Sequence, residues 1–125
     1  MIHIVGWGMT TKRRDKIIAV DFDGTICELN GSVTAKKKPN IQMIDFLKEM
    51  QTSGHRLILL TLREGLRLQE AIDYCKYYGI VFDAVNENVP DMDEILGHPR
   101  KIFADLYIDD QNAQGSIFAN LPFRG

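Results

Sequence analysis

Apolar runs alternate with helical stripes along most of this chain. Ile17-Ile18-Ala19-Val20 is continuous apolar sequence that ends in Asp21-Phe22-Asp23, and residues 17–22 read as a strand buried on both faces. Ile41, Ile44, Leu47 and Met50 recur at helical spacing, with Pro39 placed to start that helix and Gly54 to end it. Leu57-Ile58-Leu59-Leu60 predicts a second buried strand, ending at Thr61. A second helix is expected from Gly65 to Tyr78, closed by Gly79, and a third, weaker strand over Ile80–Val85. The polar stretch 86–100 leaves room for one short helix over Asp91–Leu96, and a fourth strand over Ile102–Ile108 runs into Asp109-Asp110. Ser116–Leu121 suits a short fifth strand, and Asn30-Gly31 between alternating residues predicts a two-residue hairpin turn after the first strand.

Strands separated by helices of this length predict a parallel sheet covered on both faces. Ligands of such sheets bind beyond the carboxyl ends of the strands. At those ends stand Asp21 and Asp23, then Thr61, then Asp109 and Asp110. Polar groups from three separate strands are thus expected on one edge. Unpaired charge is expensive to desolvate, so acids ending a buried strand call for a cation, a chemical role, or both.

Composition narrows the class without naming it. With 125 residues the chain suits one domain, and its net charge of −2 predicts no global attraction to nucleic acid or membrane. Residues 1–15 read as an extension ahead of a domain spanning 16–125. No basic residue precedes the short apolar start and no run has the length of a membrane span, so a cytoplasmic protein is expected. Cys27 and Cys75 have no partners at metal spacing and read as free thiols in a reducing compartment. His3, His55 and His98 lack ligand spacing, Lys36-Lys37-Lys38 reads as a solvated run, and Tyr74, Tyr77 and Tyr78 read as helix packing.

The carboxylate set suits magnesium, which takes one or two carboxylates, waters and a substrate phosphate. Asp21 with Asp109 or Asp110 supplies side-chain oxygens, and the Asp23 carbonyl a further ligand. An aspartate can also attack phosphorus, and a second one nearby can donate and then accept the proton. Thr61 offers a hydroxyl to a phosphoryl oxygen, and Lys101 or Arg100 positive charge to the transition state.

Asp21-Phe22-Asp23-Gly24-Thr25 resembles the first motif of the haloacid dehalogenase-like (HAD) phosphatases. Leu59-Leu60-Thr61 resembles the second, Lys101 the third and Asp109-Asp110 the fourth, in the family's order. The resemblance spans 16–112. It implies a Rossmann-like three-layer α/β/α sandwich with a central, mostly parallel sheet. It further implies Asp21 as nucleophile, Asp23 as acid and base, and Thr61 with the Leu62 amide on the phosphate. Lys101 would steady nucleophile and phosphate, with Arg100 as the substitute, because many relatives carry the lysine further upstream. Gly24, Thr25, Leu62, Arg63 and Arg100 are the expected substrate contacts. The implied metal ligands of Mg2+ are Asp21, Asp23 and Asp110, supported by Asp109.

Family members usually insert a cap domain after the first or third strand. The gaps 24–38 and 86–100 are too short for one, so a capless enzyme with a hairpin flap after the first strand is expected. The reading is a magnesium-dependent phosphomonoester hydrolase working through an aspartyl phosphate, on a small or macromolecular phosphorylated substrate. Nucleic acid enters only as substrate, and a homo-oligomer is one way to cover the open site. Alternatives are a deoxyribonucleotidase or a polynucleotide-end phosphatase, the latter suggested by Arg63-Glu64 after Thr61, a pair that equally suits a helix start. A receiver domain would need its acceptor on the third strand, where Asp83 lacks the setting. A non-catalytic protein binding a phosphoryl ligand on the same fold is the alternative of another class.

Overall fold

The computed structural model describes residues 15–29 and 37–109. The predicted turn at Asn30-Gly31, the strand over 116–121, residues 1–14 and Asp110 lie outside them. The described elements run β1 (Ile17–Asp21), α1 (Ile41–Thr52), β2 (Arg56–Leu60), α2 (Gly65–Tyr77), β3 (Ala84–Val85), α3 (Pro90–Ile95) and β4 (Leu106–Ile108). The four strands form one sheet in the order β3-β2-β1-β4, and every neighbouring pair is parallel. The central strand β1 pairs Val20 with Leu59 on one side and with Ile108 on the other.

Alternation along the strands divides the core. Ile18, Val20, Leu57, Leu59 and Ile108 pack against Met43, Leu47 and Met50 of α1 and Ala71, Tyr74 and Cys75 of α2. Ile17, Ala19, Ile58 and Ala84 face the other way, onto Met92 of α3 with Val89 and Ala104. Helices therefore cover both faces, giving the expected three layers. Chain direction across the sheet reverses between β1 and β4, which is the switch point where such sheets bind ligands. Among the described residues no helix is long and apolar enough to cross a membrane.

Two aspartates close the amino end of the sheet in the same way. Asp105, just before β4, donates its N–H to the Ile17 carbonyl at 2.7 Å while its carboxylate accepts the Ile17 N–H at 2.7 Å. Asp83, just before β3, does the same to Leu57, at 2.8 and 2.9 Å. Both strands are shorter than the apolar pattern predicts. Ahead of β4, the chain's polar groups turn to side chains instead of a ladder. The Phe103 N–H goes to Asn88 Oδ1 at 2.6 Å and the Ala104 N–H to the Tyr107 hydroxyl at 2.9 Å, and that hydroxyl in turn donates to the Ile102 carbonyl. Ahead of β3, the chain leaves α2 with the Ile80 N–H still on the Cys75 carbonyl and meets the sheet only at Asp83.

Helix α1 starts at Ile41 rather than at Pro39, because Asn40 caps it. Its side-chain oxygen accepts the Met43 N–H at 3.1 Å, and its amide donates to the Thr25 carbonyl at 3.0 Å. One side chain thus joins the helix start to the loop that follows β1. Asn40→Ala is expected to cost about 1–2 kcal/mol in urea unfolding, against less than about 0.5 kcal/mol for the exposed neighbour Gln42→Ala.

Candidate functional site

The loop after β1 turns tightly. The Phe22 carbonyl accepts the N–H groups of Thr25 at 3.2 Å and Ile26 at 3.0 Å, and the Gly24 N–H reaches back from the turn to the Cys27 carbonyl at 2.9 Å. Gly24 has φ 81°, a left-handed conformation that a side chain would strain. Cys27 then bridges antiparallel to Pro39, and the Glu28 N–H meets the Lys38 carbonyl at 2.9 Å. Phe22 is driven into the core, edge-on to Tyr74 with ring centroids 5.6 Å apart. The acids on either side of it, Asp21 and Asp23, both border open space at the carboxyl edge.

Two adjoining cavities open there. The smaller, about 400 Å³, is lined by the ends of all four strands: Asp21, Leu60 with Thr61 and Leu62, Asn86, and Ile108 with Asp109. The larger, about 590 Å³, is lined by Asp21, Asp23, Thr61, Leu62, Arg63, Glu64, Arg67 and Leu29. Asp21, Thr61 and Leu62 belong to both. The Thr61 N–H is fixed on Asn86 Oδ1 at 2.9 Å, and the Thr61 hydroxyl oxygen accepts the Arg63 N–H at 3.1 Å. The hydroxyl proton stays available to a ligand oxygen. The Leu62 N–H has no protein acceptor among the described residues, and the Leu62 side chain is 99% exposed.

Asp23 sits between two cations. Arg63 donates from Nε to one carboxylate oxygen and from a terminal nitrogen to the other, both at 2.8 Å, and Lys37 Nζ lies 3.6 Å away. The Arg63 hydrogen bonds lower the Asp23 pKa below its ordinary value, partial burial opposes them, and the charges of Arg63 and Lys37 add to the lowering. The same pairing raises Arg63. Arg63 is nearly buried, stacks 5.2 Å from the Phe22 ring centre, and directs its remaining nitrogen toward the Arg67 carbonyl at 3.5 Å.

Asp21, Asp23, Thr61, Leu62 and Arg63 are therefore brought together, with Asp109 beside Asp21. Gly24 lies in the turn behind them, and Thr25 is fully buried with a hydroxyl that has no partner among the described residues. Neither lines either of these two cavities. Lys101 and Arg100 are exposed on the loop leading to β4 and line neither cavity. The pattern Lys36-Lys37-Lys38 predicts a solvated run, yet the Lys37 side chain is 1% exposed beside Asp23. Tyr74 on α2 holds it there by donating its hydroxyl to the Lys37 carbonyl at 2.8 Å. Nothing in Lys36-Lys37-Lys38 distinguishes the middle residue, since its burial depends on a helix far along the chain. Asn86 is another unpredicted member, as is Arg67 on the wall of the larger cavity. Asn86 follows β3 with φ 55°, a conformation asparagine tolerates better than most residues, so its residue type is its one trace in the sequence.

Magnesium prefers oxygen donors. Asp21 and Asp109 follow the paired residues Val20 and Ile108, so their carboxylates end neighbouring strands about 4.8 Å apart. This donor set fits. Among the described residues no cluster of three His, Cys, Asp or Glu is placed to hold a metal. Asp110, the expected ligand, lies outside those residues.

The fold and this edge define a parallel α/β protein, wound on both faces, with an acid-lined cavity at its switch point. Comparison with solved structures finds a conserved protein from Bacteroides thetaiotaomicron that is 42% identical, over 82% of this chain and 81% of that one, with a TM-score of 0.65. The chain belongs to the same family as that protein. No protein-family model matches it, and no curated protein sequence does.

Both thiols fall outside the chemistry. Burial pushes Cys27 up to about 12, with the nearby Lys37 opposing and Asp23 adding, and burial pushes Cys75 to about 12 as well. Native protein is expected to resist iodoacetamide at pH 8–9, and unfolding in urea should release two reactive thiols. Because both values lie above the ordinary thiol range, their contribution to stability is complete below about pH 8.5 and fades as pH rises toward 12. Mass spectrometry of the alkylated protein with and without urea measures the first effect.

Proposed function

We propose that this chain is a magnesium-dependent phosphomonoester hydrolase of the HAD-like kind, working through an aspartyl phosphate. The observation that carries the reading is that Asp21, Thr61 and Asp109, from three strand ends, line one cavity of about 400 Å³. Asp21 attacks phosphorus, and the bond from phosphorus to the leaving oxygen breaks as that oxygen takes a proton from Asp23. Water then attacks the aspartyl phosphate and gives its proton to Asp23, releasing inorganic phosphate and restoring Asp21. The Thr61 hydroxyl and the Leu62 N–H hold phosphoryl oxygens as charge develops on them. Asp21, the Asp23 carbonyl and the Asp109-Asp110 pair would hold magnesium, which supplies positive charge that lets a carboxylate approach an anionic phosphate.

The cation of the third motif is assigned by sequence to Lys101, or Arg100, while Lys37 is the lysine that stands beside the acids. Lys37 and Arg63 orient Asp23 and compensate its charge. The two-point Arg63 contact also fixes the direction of the Asp23 carboxylate, so proton transfer occurs from one position.

One observation favours a second reading. Asp23 is held as a carboxylate by two cations, which suits accepting a proton and opposes donating one. A protein that binds a phosphoryl ligand without turning it over needs no donor.

Magnesium-dependent release of phosphate from phenyl phosphate tests both. Wild type is expected to turn over, and Asp21→Asn to lose at least about a thousandfold in kcat. Acid-quenched wild type should carry a base-labile phosphoryl label that Asp21→Asn lacks. Phosphate binding by calorimetry without turnover on any phosphoester would establish the second reading instead.

A further inference from the structure

The two cavities meet at Asp21, Thr61 and Leu62 but are otherwise lined by different groups. Asp109 and Asn86 border only the smaller one, and Asp23 borders only the larger one. In the hydrolase reading, Asp23 exchanges a proton with the leaving oxygen, so the leaving group must lie on the side of Asp23. The larger cavity is then the leaving-group site, and its volume of about 590 Å³ suits a small molecule.

That cavity has two arginines, which differ completely. Arg63 is spent: three of its nitrogens face Asp23 and the Arg67 carbonyl, its plane lies on Phe22, and little of it reaches solvent. Arg67 lies four residues on, in the first turn of α2, is exposed, and has no ion-pair partner among the described residues. Asp23 is already compensated by Arg63 and Lys37, so it leaves Arg67's charge uncancelled. Glu64 on this rim and Asp21 at the junction with the smaller cavity are the acids that oppose an incoming anion.

Resting on the phosphohydrolase reading, we propose that Arg67 recognises a second anionic group on the leaving group. The substrate class is then a small phosphomonoester that also carries a phosphate or a carboxylate. The anion meets the guanidinium of Arg67, while Leu29 and Leu62, both exposed on the same wall, cover the apolar body between the two charged ends. Arg63, the sequence candidate for this contact, instead positions Asp23.

Matched esters test the assignment: phenyl phosphate against 4-carboxyphenyl phosphate, and ribose 5-phosphate against ribose 1,5-bisphosphate, each followed as phosphate release in magnesium. Wild type should favour the doubly anionic member of at least one pair by about tenfold in kcat/KM, equivalent to about 1.4 kcal/mol, mainly through KM. Which pair shows the preference tells carboxylate from phosphate. Arg67→Ala should erase the preference, Arg67→Glu should invert it, and Arg67→Lys should keep part of it. Lys76→Ala, at the far end of the same helix, should keep all of it. An equal or opposite preference in wild type, or a preference that survives in Arg67→Ala, overturns the proposal. If no ester of either pair is turned over, the hydrolase reading fails instead. Calorimetric titration of wild type and Arg67→Ala with the same pairs then decides the anion preference separately.

Discussion

Everything in this fold depends on burying β1 on both faces and along both edges. Ile17, Ile18, Ala19 and Val20 are wholly inaccessible, each edge of the strand is paired in parallel, and helices close the sheet above and below. A strand enclosed in this way can present polar atoms only where it ends. The change from Val20 to Asp21 marks that end, and the chemistry of the molecule collects there because polar side chains can be hydrated nowhere else along β1. The switch in chain direction between β1 and β4 opens the gap into which those side chains extend.

The same constraint explains what could be read from sequence. The buried strands and the two long helices announce themselves through period and capping residues, and the strand-end polar groups Asp21, Thr61 and Asp109 follow from them directly. Lys37 does not, because a lysine is buried by its partners, and those partners are Asp23, across a turn, and Tyr74, on another helix. Nor does local sequence tell Asp83 and Asp105 from Asp21 and Asp23. All four stand beside apolar runs. The first pair lies at the amino edge and serves the backbone, while the second lies at the carboxyl edge and faces the cavities. Position in the sheet separates them, and that emerges only once the strands have been ordered. The shortness of β4 was hidden for a related reason: the side chains of Asn88 and Tyr107 compete for backbone groups that apolar patterning assigns to a ladder.

Around Asp23 the molecule places more positive than negative charge in a partly buried setting. A bidentate guanidinium fixes the orientation of the carboxylate as well as its charge, which a lysine alone could not do. The Phe22 ring beneath Arg63 ties that orientation to the core, since the ring is itself packed on Tyr74. Core packing, helix α2 and the acidic edge are thereby one mechanical unit.

The paired bonds that Asp83 and Asp105 make to Leu57 and Ile17 have a consequence for how such a protein can change. They lock the alignment of β3 on β2 and of β4 on β1 from the amino edge, by contacts that require nothing of the opposite edge. A parallel strand that slipped by one residue would turn its core side chains outward, so alignment is the property an altered loop most endangers. With the count kept at one edge, loops at the other can be rewritten one residue at a time without the sheet losing its place. Descendants of this chain are therefore free to reshape the carboxyl-edge loops on an unchanged frame.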